Sequence, residues 1–235
     1  MKKMNLIFLL TIVFALFTFL STAQAYEDTE AVELTPTLEH FVNVNMYSQG
    51  LFFDVHSSEW FAENVATAYE LGLMNGTGGN AFGSSSNITI GESVALAARI
   101  HCIFVYGEAN FQQGTPWYQC YVDYALDAKI IAQEYANYNQ AATRSQFAEI
   151  FANALPSHAL MEINWVEDNA IPDVKNSASY AAAIYKLYRA GILTGSDSEG
   201  TFNPSSTISR AEVAAIVTRM ADKSLRKTIL LTGTY

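Results

Sequence analysis

Residues 171–220 read IPDVKNSASYAAAIYKLYRAGILTGSDSEGTFNPSSTISRAEVAAIVTRM, and their spacing predicts a helix, a glycine loop, a turn and a second helix. Tyr180, Ile184, Leu187 and Tyr188 recur at i, i+4, i+7 and i+8, which lays one apolar stripe along the first helix. Gly191 and Gly195 mark its end, because glycine takes the left-handed conformation of a helix stop without Cβ strain. Ser209-Arg210-Ala211-Glu212 is a capping box, in which serine and glutamate each satisfy an amide of the first turn that has no helical partner. It opens the second helix, with Val213, Ile216, Val217 and Met220 on one face.

The same unit recurs upstream. Phe53-Asp54-Val55 matches Pro172-Asp173-Val174, and Phe61, Val65, Ala68 and Tyr69 repeat the apolar stripe. Gly72-Leu73-Met74-Asn75-Gly76 matches Gly191-Ile192-Leu193-Thr194-Gly195, Phe82 matches Phe202, and Thr89-Ile90-Gly91-Glu92 matches the capping box. The offset is 119 residues from Asp54 to Asp173 and from Gly76 to Gly195, then 120 from Phe82 to Phe202 and from Glu92 to Glu212. One inserted residue over a whole unit marks an internal repeat. A weaker copy lies between the two. Trp117 stands 57 residues after Trp60, Tyr118, Val122, Ala125 and Leu126 give the stripe, and Thr143-Arg144-Ser145-Gln146 is a third capping box. There the glycine loop is replaced by a shorter AQEYANYNQ, and Phe111 stands in the place of Asp54. The expected organisation is repeat 1 over residues 51–110, a degenerate repeat 2 over 111–160 and repeat 3 over 161–222. No single unit has enough apolar surface to fold alone, so the three are expected to share one all-α core.

The flanks carry the address. Lys2 and Lys3, an apolar run over residues 5–20 and Ala23-Gln24-Ala25 have the form of an export signal cleaved after Ala25, with an uncleaved anchor as the alternative. The leader holds two of the 13 Lys+Arg and none of the 23 Asp+Glu, so the remainder carries 11 basic against 23 acidic side chains, a net −12. That charge argues against nucleic acid and against anionic membrane surfaces as partners. No later segment has the roughly 20 apolar residues of a membrane span. Residues 26–50 read as an acidic linker whose second half, with Phe41, Val42, Val44, Met46 and Tyr47, could pack as a short lead-in helix. In the tail, residues 223–235, Ile229-Leu230-Leu231 either frays or docks as a strand or helical end. Cys102 and Cys120 could form a disulfide in an exported protein or remain buried thiols. Neither they nor His40, His56, His101 and His158 have metal-ligand spacing, and the acids of GSDSEGTF fall short of a calcium loop.

Aspartate-valine, tryptophan, an alanine-rich helix, Gly-x-x-x-Gly, Phe-x-Pro and Ser/Thr-Arg-Ala-Glu together resemble the S-layer homology module of bacterial cell-surface proteins. The resemblance runs from about residue 51 to 221. The third copy fits with only the tryptophan replaced, by Ser179; the first has Ile90 in place of the motif arginine; the second is degenerate. The resemblance implies a pseudo-threefold bundle of three helix-loop-helix copies, each lending a helix to the centre. It implies grooves between copies that bind secondary cell-wall polysaccharide, often through a pyruvylated sugar. It places the protein outside the cell, on the wall or S-layer of a Gram-positive-type bacterium.

Each candidate residue has two readings. Arg210, one residue past a helix cap, joins free amides and a guanidinium fork into a seat for a carboxylate, or else bridges to an acid such as Asp173. Arg144 holds the same place in repeat 2; Ile90 cannot do this work, so its groove is expected to be weak or lost. Asp54 and Asp173 line a groove or cap a turn. Trp60 and Trp117 are sugar platforms or, as the favoured reading, core anchors. Gly76 and Gly195 expose backbone to a ligand or simply stop helices. The best groove is expected to join Arg210 with Asp173. No motif of a hydrolase, metalloprotease or nucleotide-binding site is found, so a binding protein is expected rather than an enzyme, with no cofactor. It would recruit a surface-protein partner or self-assemble. The alternative is a protein-interaction or structural module that has lost sugar binding.

Overall fold

The computed structural model describes residues 35–233. The expected leader, residues 1–25, and the start of the expected linker lie outside the described residues. The helices are α1 (Ala62–Glu70), α2 (Ile90–Tyr106), α3 (Gln119–Asp127), α4 (Arg144–Ala152), α5 (Ala181–Arg189) and α6 (Arg210–Ala221). Two two-residue strands, β1 (Trp165–Val166) and β2 (Leu230–Leu231), pair in parallel, and 3-10 turns occupy Leu38–His40, Ser157–Leu160 and Lys223–Leu225. The described residues are thus mainly helical, with little strand.

The even-numbered helices begin where the capping boxes predict. Thr89, Thr143 and Ser209 each accept from the amide three residues on, and Glu92, Gln146 and Glu212 each reach back to the cap amide. The odd-numbered helices have no side-chain cap and are held by tertiary packing of the stripe. After α1 and α5 the chain reverses at Gly72 (φ +66°) and Gly191 (φ +72°). After α3 the same place is held by Lys129 at φ +58°, a left-handed conformation that costs a residue with a Cβ about 1–2 kcal/mol.

Helix pairing runs across the units rather than only within them. α1 packs on α6, α2 on α3 and α4 on α5, and α2 also meets α4. Three antiparallel bridges, Asn87 with Ser209, Thr89 with Ala141 and Thr143 with Thr207, tie each cap segment to both others. The first two amides of each even-numbered helix donate to a loop of another unit. Ile90 and Gly91 bond the carbonyls of Gln140 and Tyr138, Arg144 and Ser145 those of Ser206 and Pro204, and Arg210 and Ala211 those of Ser86 and Ser84. One apolar cluster runs through all six helices, with Phe82, Phe104, Phe147, Phe151, Tyr188 and Phe202 as its largest fully buried side chains.

One expectation, the lead-in helix, is corrected, and two open alternatives, the tail and the cysteines, are decided. The lead-in is a 3-10 turn followed by extended chain, because Val44 and Asn45 donate to the Glu70 carbonyl at the end of α1 and so stay outside a helix of their own. The tail is docked as β2, held by Ile229 N donating to Asn164 Oδ1 at 2.9 Å and Gly233 N donating to Glu167 Oε2 at 2.9 Å. Cys102 and Cys120 are both unpaired thiols. Among the described residues no helix is long and apolar enough to cross a membrane, and no cluster of His, Cys, Asp or Glu is placed to hold a metal ion.

Candidate functional site

The cyclic pairing builds three clefts, each from parts far apart in sequence. The first, about 380 Å³, lies between the loop of residues 73–77, the α2 side chains Glu92 and Arg99, Trp117 ahead of α3, and Arg210 of α6. The second, about 520 Å³, lies between Thr194 to Ser196, the α6 side chains Glu212 and Arg219, Trp60 ahead of α1, and Arg144 of α4. The third, about 550 Å³, is lined by Ile130 to Tyr135, Glu149 of α4, Asn153 just after it, Ser179 ahead of α5, and Lys186.

The two arginines at helix starts do the same structural work. Arg210 is 9 % exposed and its guanidinium lies 5.0 Å from the Phe82 ring centroid. Its Nε donates to Phe82 O at 3.0 Å and its Nη2 to Asn75 O at 2.6 Å. Arg144 lies 5.1 Å from the Phe202 ring centroid, donates from Nε to Phe202 O at 2.6 Å, and from Nη1 to the Glu212 carboxylate. Among the described residues Arg210 Nη1 and Arg144 Nη2 bond no protein atom, and both arginines line a cleft. Burial lowers the Arg210 pKa from its ordinary value, against the opposing pull of Glu92 and Asp54. The expected seat is therefore corrected in one part. The helix amides beside each arginine are already bonded to Ser84, Ser86, Pro204 and Ser206, so the guanidinium edge is what remains for a ligand.

The expected union of Arg210 with Asp173 is also corrected. Asp173 accepts from Phe202 N at 2.8 Å and Asn203 N at 2.6 Å, on the loop that Arg144 holds. Asp54 accepts from Phe82 N at 2.7 Å, Gly83 N at 2.8 Å and Ser84 N at 3.1 Å, on the loop that Arg210 holds. Burial pushes the Asp54 carboxyl up, and the amides of Phe82, Ser84 and Gly83 outweigh it and hold it below the usual carboxylate range. Both aspartates are loop clamps and neither lines a cleft. Phe111, in their place in the middle unit, packs instead on Tyr121 and Tyr124.

Trp60 is 62 % exposed and Trp117 40 %. The favoured reading of these as core anchors is thus overturned: each lines a cleft, because the stripe behind it already fills the core. Gly76 and Gly195 line the clefts and do not stop helices. A Cβ on Gly76 would come within 2.6 Å of Ala81 O, and one on Gly195 within 2.5 Å of the Gly200 backbone, so only glycine lets the loop fold this tightly.

A second pair of arginines escaped the sequence reading. Arg99 donates from Nη1 to Leu73 O at 3.2 Å, and also to Gly72 O, while Arg219 donates to Ile192 O at 3.0 Å. They stand 120 residues apart, the offset of the capping boxes, and that offset was the signal available. Arg219 Nε is buried without a partner among the described residues. In the middle unit the same helical place is held by Asn153, which reaches Ile130 O at 3.4 Å. Two further departures converge there. Ser179 replaces the tryptophan of the third cleft, and Ile90 replaces the arginine on the helix whose amides dock on residues 138 and 140. The losses sit in different units of the sequence yet fall on one junction.

Two segments of the chain match the S-layer homology domain. They are residues 51–92 and 170–214: the first and third units, each up to the start of its capped helix. S-layer homology domains are generally cell-wall or surface-anchoring modules. The matched segments contain Trp60, Asp54, Gly76, Asp173, Gly195 and Arg210, while Arg144 and Trp117 lie in the chain between them. No curated protein matches the chain.

Proposed function

We propose that the protein binds an acidic secondary cell-wall polysaccharide at its first two clefts and so attaches non-covalently to the surface of a Gram-positive-type bacterium. The proposal includes three modules in a pseudo-threefold arrangement, the middle one degenerate, and a binding rather than catalytic role. The observation that carries it is the distribution of cleft parts. Each of two clefts combines an exposed indole, a glycine loop and two arginines; the third has none of these in their places. An indole face suits the apolar side of a sugar ring. A guanidinium already anchored by backbone carbonyls offers its remaining edge to a carboxylate, such as that of a pyruvyl group, at small entropic cost.

The two clefts are not equal. Arg144 is ion-paired to Glu212, whereas Arg210 is held by neutral carbonyls. A carboxylate ligand must displace Glu212 from a direct ion pair with Arg144 in the second cleft, whereas in the first Glu92 and Asp54 act on Arg210 without a direct ion pair, so the Arg210–Trp117 cleft is the tighter one. Co-sedimentation with wall sacculi tests the reading. Sedimentation is expected with sacculi that retain their secondary polymer and not with stripped sacculi. Equal sedimentation with both would point to peptidoglycan and refute it. A second reading, a surface module that recruits protein without sugar, is favoured by the third cleft alone, and absence of sedimentation from both samples would select it.

A further inference from the structure

Residues 42–50 and 161–169 follow the same backbone course, 119 positions apart. In each, an asparagine and the residue before it tie the chain to the end of an odd-numbered helix. Val44 N and Asn45 N donate to Glu70 O, as Ile163 N and Asn164 N donate to Arg189 O. Asn45 Nδ2 donates to Tyr69 O at 2.8 Å, and Asn164 Nδ2 to Tyr188 O at 2.9 Å. Alternate side chains point outward in both: Val42, Val44 and Met46 in one, Met161, Ile163 and Trp165 in the other, all exposed.

The two segments differ in what lies alongside. In the later one the edge is filled by the tail. Trp165 and Val166 register with Leu230 and Leu231. Asn164 Oδ1 accepts from Ile229 N, Asn164 Nδ2 donates to Lys227 O at 2.9 Å, and Glu167 N donates to Leu231 O at 3.0 Å. In the earlier one no strand pairs among the described residues. Asn45 Oδ1 and Ser48 N, the counterparts of Asn164 Oδ1 and Glu167 N, have no hydrogen-bond partner there, and Met46 is 90 % exposed. An open edge with an apolar row beside it is a template for strand addition.

We propose that residues 44–48 form a docking edge for an extended apolar segment of a partner protein, which adds as a parallel strand in the way β2 adds to β1. The chain's own tail is already committed to β1, and a second copy could offer its tail only by opening the same bonds in itself. The edge also specifies its occupant. Beside Met46 it takes an aliphatic residue, as Leu230 lies beside Trp165. At the next position it takes a small residue. Leu231 lies so close to Gly200 that a Cβ there would come within 2.8 Å of it, and the counterpart of Gly200 is Asn80, which has a side chain and φ +59°. None of these edge residues lines the first two clefts, so the inference stands apart from sugar binding.

The test uses the full chain and a fluorescent peptide, RKTILATG, which is the sequence of residues 226–233 with alanine in place of Leu231. Saturable one-to-one binding by fluorescence polarisation is expected, with the unaltered RKTILLTG weaker. Asn45→Ala removes one or two hydrogen bonds to the peptide and should weaken binding about tenfold. Because Asn45 also holds the end of α1, Met46→Lys at an exposed side chain provides a second variant with the same expected loss and an unchanged melting temperature. Asn164→Ala should leave binding unaltered. Absence of saturable binding, indifference to both edge variants, or peptide-induced changes confined to residues 164–167 would overturn the proposal. So would self-association of the chain that disappears on deleting residues 229–233, since that would make a second copy the occupant.

Discussion

Arg210 shows why a binding residue and a structural residue are hard to separate by truncation. Its side chain joins α6 to the first loop through Phe82 O and Asn75 O. Arg210→Ala leaves both carbonyls without their charged donor and should lower unfolding free energy by about 2 kcal/mol or more, read from urea denaturation. Lost wall binding in that variant is then ambiguous. Trp117→Ala and Trp60→Ala reduce the problem, because both indoles reach the surface, Trp60 more than Trp117. Each is expected to cut polymer binding about tenfold, Trp117 more than Trp60, with the urea midpoint unchanged; an equal fall in stability would return the tryptophans to the core. Lys129 offers the opposite sign. Its left-handed φ of 58° suits glycine, so Lys129→Gly should stabilise the chain by about 0.5–1 kcal/mol after the entropy of glycine is subtracted. At this scale the sequence was a mixed guide. It placed Arg210 and Arg144 at helix starts, because a capping box follows local chemistry, and it misread Gly76 and Gly195 as helix stops. It misjudged the tryptophans, because their exposure depends on neighbouring units, and missed Arg99 and Arg219, because a side chain reaching back 27 residues to Gly72 O or Ile192 O leaves no local pattern.

Capped helices were the most legible elements. Thr89, Thr143 and Ser209 stand where the capping boxes placed them, since serine or threonine with an acid or amide three residues on satisfies the first turn locally. Ser209→Ala should cost about 1 kcal/mol. Glu212 adds a pH dependence. Burial raises its pKa, but the Ser209 amide and hydroxyl and Arg144 outweigh this and hold it below 4.5. A lowered folded pKa means that stability is present above 4.5 and is lost as pH falls through the folded value. The melting temperature of the native protein should therefore exceed that of Glu212→Gln at neutral pH, and the gap should close as pH falls below 4.5. A gap that widened in acid would refute the pairing. The extended elements were least legible. The lead-in and β2 depend on Asn45 and Asn164 reaching helix ends 24 residues away, although the 119-residue offset of those two asparagines was open to inspection.

For the molecule as a whole, the internal repeat predicted a shared helical core, and the continuous cluster through all six helices has that character. What the repeat could not convey is that neighbours exchange parts. Read along the chain, Ile90 spoils the first unit and Ser179 the third. Read in three dimensions, both fall at the junction served by the middle loop, and two complete sets of cleft residues remain. Two clefts in one compact unit raise apparent affinity for a polymer well above that of either alone. The double variant Trp60→Ala with Trp117→Ala should therefore lose far more retention on sacculi than the single variants imply, whereas simple additivity would mean that only one cleft is occupied at a time.

The contact between α1 and α6 also sets a schedule. The carbonyl of Asn75 is met by a guanidinium 135 residues later in the chain, so a nascent or translocating polypeptide has its first unit in hand long before the piece that completes it. Through that interval α1 lacks its partner, and the apolar surface it shares with α6 stays open to water and to other chains. A fragment ending at residue 206 should leave the α1 amides unprotected against hydrogen exchange, and adding residues 207–233 as a separate peptide should slow their exchange. Maturation would then be a single late event, timed by the arrival of the last capped helix rather than by the completion of each unit in turn.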